Sequence, residues 1–197
     1  MISYLKGKLV HKDPTFVVVD VNGMGYHVHI SLHTFGELKE QENILLHTHL
    51  IVREDAHILF GFCQPAEKKL FQLLVSVNGV GPNTALLMLS YLSIDELKTA
   101  IVREDAATLQ AVKGVGGKTA MRVIIELKDK IKKESFEEST SPNLGGVHNT
   151  VRGEALSALV TLGLSKNVAE KSVDTVLKKS GNTITLEDLV KQALKNA

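Results

Sequence analysis

One nine-residue pattern occurs twice in this chain, and it restricts the fold more than any other feature. Val77-Asn78-Gly79-Val80-Gly81-Pro82-Asn83-Thr84-Ala85 aligns with Val112-Lys113-Gly114-Val115-Gly116-Gly117-Lys118-Thr119-Ala120, with identity at six positions. Both copies lie between segments of helical periodicity. The first glycine of each copy suits a hairpin that needs positive φ, which glycine adopts without a steric penalty. The valine between the glycines, Val80 or Val115, is expected to plug the hairpin into a core. A helix should start directly after the second glycine.

This is the helix-hairpin-helix pattern, apolar–x–Gly–apolar–Gly–x–x–[Ser/Thr]–Ala. Missing side chains let the backbone approach a phosphate closely. The free amides at the start of the second helix, together with its dipole, favour an anion there. A single copy reads equally well as a tight packing corner. Two copies point to binding of the duplex backbone, which positions DNA without reading its sequence. The candidate contacts are Gly79, Val80, Gly81, Asn83 and Thr84 in the first copy. In the second they are Gly114, Val115, Gly116, Gly117, Lys118, Thr119 and Arg122. Lys118 and Arg122 lie about one helical turn apart and can add charge on one face.

The residues before the repeat have a different period. Segments 3–10, 15–21, 26–32, 44–52 and 57–62 are rich in Val, Ile, Leu and aromatics, and turn signals separate them. Asn22-Gly23 is the strongest hairpin signal. Five short strands in roughly sixty residues suggest a small barrel of the OB type, with an SH3-like barrel as the competitor. From Pro65 helical spacing takes over, with helices expected near 66–77, 82–91, 93–103, 105–112 and 117–133. Ser93 and Glu96 have the form of a capping box. Residues 134–149 have no periodicity and read as a flexible linker. Three further helices are expected near 150–162, 165–179 and 185–195, with Ser165 and Thr185 as N-caps and Gly163 and Gly181 as stops. The expected class is therefore α+β multidomain. It comprises a five-stranded OB-type barrel (1–64), a helical domain with two helix-hairpin-helix motifs (65–133), the linker (134–149) and a three-helix, UBA-like module (150–197). So small a module buries little surface and suits binding.

Charge argues against a uniformly basic DNA binder. The whole chain carries 23 Lys+Arg and 22 Asp+Glu. Residues 65–135 hold 11 basic against 8 acidic side chains, and residues 1–64 hold 5 against 7. Contacts must then be placed individually. The single cysteine, Cys63, cannot form an internal disulfide, which fits a cytoplasmic setting. No signal peptide or membrane span is expected. His27/His29 and His47/His49 alternate, so each pair shares a strand face. Suitable acidic or thiol ligands are missing from their spacing, so neither a metal site nor a cofactor is expected. No Walker motif, Gly-x-Ser-x-Gly or His-Glu-x-x-His occurs, which leaves the chain without the means to hydrolyse ATP. A glycosylase or nuclease built on these modules is a third reading, but residues 124–133 show no clear catalytic aspartate. The hexapeptide Ile51-Val52-Arg53-Glu54-Asp55-Ala56 recurs at Ile101–Ala106. The first copy falls in a strand–strand turn. In the second, Asp105 reads as a helix N-cap.

Along its whole length the chain resembles the bacterial RuvA family. The resemblance is carried by Met1-Ile2 with Leu5-Lys6-Gly7, by Val52-Arg53-Glu54-Asp55-Ala56 and by Phe60-Gly61-Phe62. It extends through Asn78-Gly79-Val80-Gly81-Pro82 to Leu162-Gly163-Leu164. It implies a non-enzymatic homotetramer of fourfold symmetry that holds four-way junction DNA open, with one or two tetramers on a junction. It also implies partnership with the hexameric motor RuvB and the resolvase RuvC. Glu54 and Asp55 would form a central acidic pin that repels phosphates, although Glu-Asp is also ordinary turn chemistry. Leu159, Leu162, Leu164 and Leu194 would form the apolar surface that grips the motor, unless they are core. Some relatives carry lysine where this chain has Asn83 and Gly117. That departure implies a lower salt slope for binding rather than loss of the site. A generic duplex-binding repair accessory is the alternative.

Overall fold

Strand alternation in the first sixty residues closes into a barrel. The computed structural model describes residues 1–38, 42–139, 147–180 and 184–196, in two units, Met1–Ser139 and Thr140–Ala197. In the first unit β1 (Tyr4–Lys12), β2 (Phe16–Val21), β3 (Met24–Ile30), β4 (Asn43–Val52) and β5 (His57–Phe62) form a closed barrel in the order β1-β2-β3-β5-β4. Only β3 and β5 run parallel, with Val28 opposite Leu59. This order, closed by β1 against β4, is that of the OB barrel and removes the SH3-like competitor. Asn22 and Gly23 turn the β2–β3 hairpin at φ 53° and 88°. Leu5, Val17, Val19, Val28, Ile30, Ile44, Leu46 and Leu59 fill the interior. At Gly7 a Cβ would lie 2.1 Å from the Asp20 carbonyl oxygen, so only glycine lets β1 pass β2 there.

The alternating histidines point away from that interior. His27 stacks on Phe16 at 4.4 Å and meets His29 at 4.9 Å. His49 lies 3.1 Å from the Gln72 amide nitrogen. Burial lowers the pKa of both His29 and His49. They are strand-face packing groups, and the described residues contain no cluster of three or more His, Cys, Asp or Glu able to hold a metal.

The helices of the first unit are α1 (Leu32–Glu37), α2 (Pro65–Val75), α3 (Pro82–Tyr91), α4 (Ile94–Val102), α5 (Ala106–Gln110) and α6 (Gly117–Ser139). Apart from α1, they build one core around Leu70, Leu74, Met88, Leu97, Ile101, Leu109 and Leu127. Ser93 and Glu96 form the expected capping box. Asp105 caps α5 by accepting from the Thr108 amide. The repeated hexapeptide therefore does two unrelated jobs. α1 has no counterpart among the expected elements. α6 continues to Ser139 and α7 starts at Val147, so helix occupies both ends of the stretch expected to be linker. Residues 140–146 lie outside the described residues, as does Gly181.

Barrel and helices join along β5. Its Leu59 faces the barrel interior while Phe60 and Phe62 face α2, each 5.0 Å from the Phe71 ring. Beside this seam Glu67 of α2 is fully buried. Its carboxylate accepts from the Ser31 hydroxyl and from Thr34 Oγ1 at 2.8 Å, tying α2 to the start of α1. Burial pushes the nearby Cys63 thiol up to about 12, so it stays protonated near neutrality.

The second unit holds α7 (Val147–Thr161), α8 (Lys166–Ser180) and α9 (Leu186–Lys195). Its core is small: Ala155, Leu159, Ala169, Val173, Val176, Leu189 and Ala193. Gly163 turns α7 into α8 at φ 101°, and Thr185 caps α9. Arg152 of α7 pairs with Asp174 of α8 at 2.8 Å. Among the described residues no helix is long and apolar enough to cross a membrane.

The Glu67 site sets a pH dependence. Burial raises its pKa against the lowering effect of the Ser31 and Thr34 hydroxyls and of His33. A carboxyl that holds its proton more tightly when folded stabilises fully below the usual carboxylate range and loses that contribution as pH rises through its raised value. Glu67→Gln keeps the shape without titrating. Thermal unfolding from mildly acid to neutral pH is expected to show the parent losing stability relative to the variant. A pH-independent difference would contradict this.

Candidate nucleic-acid interface

The two repeat copies fold alike, bond for bond. In the first, the Val80 amide donates to the Val77 carbonyl at 3.0 Å and the Ala85 amide to the Gly81 carbonyl at 2.9 Å. In the second, Val115 donates to Val112 at 3.0 Å and Ala120 to Gly116 at 2.9 Å. Gly79 and Gly114 take φ 92° and 90°. Val80 and Val115 are both buried, as plugs should be. The sequence repeat is thus a structural repeat.

Directly after each plug the chain enters an open helix start. Gly81, the N-cap of α3, has φ −80°, makes no side-chain cap bond, and precedes Pro82. No acidic residue occupies the first turn of α3 or of α6. By contrast, α4 and α9 carry Ser93 and Thr185 caps and acids in their first turns. The first amides of a helix have no intrahelical acceptor. At α3 and α6 they are left with no protein acid to complement the dipole. A Cβ built on Gly81, Gly114 or Gly116 would meet no protein atom within 4 Å. Gly81 and Gly116 also lie outside the positive-φ region. Neither strain nor crowding requires glycine at these two places, and both leave open space in front of the helix start.

The side chains around these starts are sparse in charge. Asn83, Gly117 and Lys118 are exposed, and Thr84 and Thr119 are half-buried. A Cβ on Gly117 would meet only the Gln110 side chain, at 3.6 Å. Arg122 is exposed, but its Nη1 donates to the Asn78 carbonyl in the first hairpin at 2.9 Å. Sequence reasoning missed this bond, because the partners are 44 residues apart.

The other predicted groups fall elsewhere. Glu54 and Asp55 sit exposed at the turn between β4 and β5, which the Arg53 amide closes onto the Ala56 carbonyl at 2.8 Å. In the second unit, Leu159 is fully buried and Leu164 packs against the same core. Only Leu162 and Leu194 of the four leucines are exposed, at 62% and 43%. Leu162 lines a shallow groove with Glu154, Ser157, Ala158, Thr161 and Leu186. Sequence reasoning also missed Leu186, whose signal is an apolar residue directly after the Thr185 cap.

The glycines divide into two kinds that stability measurements separate. Gly79→Ala and Gly114→Ala force a Cβ into positive φ, and each is expected to cost about 1–2 kcal/mol. Gly81→Ala and Gly116→Ala meet no such strain, and each should cost less than about 1 kcal/mol, the scale of an N-cap preference. Chemical denaturation of the four single variants checks the ranking, and a reversed order would contradict it.

Comparison with known proteins agrees with this architecture. Residues 1–61 match the family model described as RuvA N terminal domain. Residues 71–129 match SAM-like helix-hairpin-helix tandem, and residues 150–197 match RuvA, C-terminal domain. The chain is 56% identical over 197 residues to the Holliday junction branch migration complex subunit RuvA of Cytophaga hutchinsonii, covering 99% of each. It is 47% identical to the protein of that name from Christiangramia forsetii, again over 99% of each. Against the Pseudomonas aeruginosa protein of that name it is 39% identical, covering 99% of this chain and 98% of the other. With matched models at both ends and relatives aligned from end to end, the chain belongs to the RuvA family.

Proposed function

We propose that this protein binds four-way junction DNA without regard to sequence, and that it serves as the non-catalytic scaffold of a branch-migration complex. The observation that carries the proposal is the pair of matched hairpins, each offering uncapped helix amides to a phosphate. Two such sites on one rigid helical core hold a duplex arm by its backbone. Four copies around a fourfold axis, one per arm, give a junction an open, flat seat. One or two such tetramers on a junction are both compatible with this reading. A generic duplex-binding accessory is not favoured, because it leaves the end-to-end match with junction-complex subunits unexplained.

Glu54 and Asp55 then act by repulsion. Exposed on the β4–β5 turn and gathered at the axis, they keep phosphates from the crossover and penalise a continuous duplex. The tail supplies the contact to a RuvB motor through Leu162 and Leu194, with Leu159 and Leu164 supporting them from the core. ATP hydrolysis belongs to that motor. A RuvC resolvase acts on the same junction, in the cytoplasm.

Two experiments test this division of labour. Replacing Glu54 and Asp55 with Gln and Asn keeps the turn and removes its charge, so affinity for linear duplex should rise relative to junction. An unchanged preference would count against the pin. Leu162→Asp places a charge on an exposed groove residue, so folding and junction binding should survive while recruitment of RuvB falls sharply. Recruitment at parental strength would place the motor contact elsewhere.

A further inference from the structure

The two hairpins are joined by one side chain. Arg122 stands on α6, the helix that the second hairpin starts, yet its Nη1 donates to the Asn78 carbonyl, the residue before the positive-φ Gly79 of the first. A Cβ on Gly79 would lie 3.6 Å from the same Nη1. The guanidinium therefore lies against the first turn rather than beside its own. The tie has no mirror image. In the register that pairs Val77 with Val112, Arg122 corresponds to Leu87, which has no donor, and Asn78 corresponds to Lys113. Leu87 is half-exposed.

We infer that Arg122 is a positioning residue that fixes the first hairpin relative to the second and thereby sets the spacing of the two phosphate sites. The inference rests on the hairpins being phosphate sites. A carbonyl beside a glycine in the left-handed region is hinged on one of the softest points of the backbone. Anchoring it with a planar, permanently charged donor restrains that hinge. The bond to the Asn78 carbonyl commits the guanidinium to the turn rather than to a phosphate.

The test is a double-variant cycle on the full chain with an immobile four-way junction as probe, repeated over a range of salt. Arg122→Gln alone is expected to weaken binding by roughly two- to tenfold, the scale of one hydrogen bond. Its logarithmic salt slope should stay parental, because no phosphate-neutralising cation is lost. In a Gly79→Ala background, where the first turn is already displaced, Arg122→Gln should add nothing. Equal losses in both backgrounds would overturn the inference, and a slope reduced by about 0.9 would assign Arg122 to a phosphate directly. Lys118→Ala serves as the control for that slope change. Failure of the parent chain to bind the junction would sink the phosphate-site reading itself, and this outcome is distinct from additive losses in a parent that binds.

Discussion

Phe60 and Phe62 leave the barrel on the face opposite Leu59 and close on Phe71, and the functional geometry of the first unit depends on that contact. A strand buried on both faces can serve two cores at once. β5 does so, which makes barrel and helices one body rather than two beads. It also continues directly from the acidic turn, since Glu54 and Asp55 precede His57 by only a few residues. The position of the acids relative to the hairpins is therefore set by packed aromatic rings. Buried Glu67, bonded to Ser31 and Thr34, adds a polar tie on the same side. Leaving its carboxylate unpaired there would be costly, so the bonds fix α1 as well as α2.

The surface chemistry follows from economy of charge. With near-balanced basic and acidic residues, the chain as a whole carries no large net positive charge to attract DNA. What it has are directional donors: backbone amides at two uncapped helix starts, with few cations beside them. Such donors act only at short range, so they reward a phosphate that arrives in the right place. Broad attraction would hold any duplex equally. On the proposed reading, short-range donors at the arms combined with carboxylates at the centre would discriminate by shape.

Much of this is legible in the sequence where the signal is local. The repeat locates both hairpins, their positive-φ glycines and their valine plugs. Ser93, Asp105 and Thr185 announce three helix starts because a cap bonds within its own first turn. The features that stay hidden depend on distant partners. Helix α1 is six residues long, too short for a period to show, and Glu67, 36 residues beyond its Ser31 cap, helps hold it. Parallel pairing of β3 with β5, which decides the barrel type, leaves no mark in either strand alone. Neither does the choice of which leucine near Gly163 points inward. Leu159 and Leu162 look alike in sequence, and only the packing of α7 against its neighbours makes one core and leaves the other exposed. Helix at 134–139 escapes a sequence reading because its acidic, serine-containing stretch offers no apolar period.

If backbone amides left open by Gly81 and Gly116 hold the phosphates of a junction, methyl groups at those two positions must block binding. The decisive experiment titrates the Gly81→Ala, Gly116→Ala double variant against an immobile four-way junction, with stability monitored in parallel. The variant is expected to stay folded and to lose most of its affinity, because the two methyl groups occupy the space a phosphate must enter. Junction binding at parental strength by the folded variant would contradict the assignment of these amides as the phosphate sites.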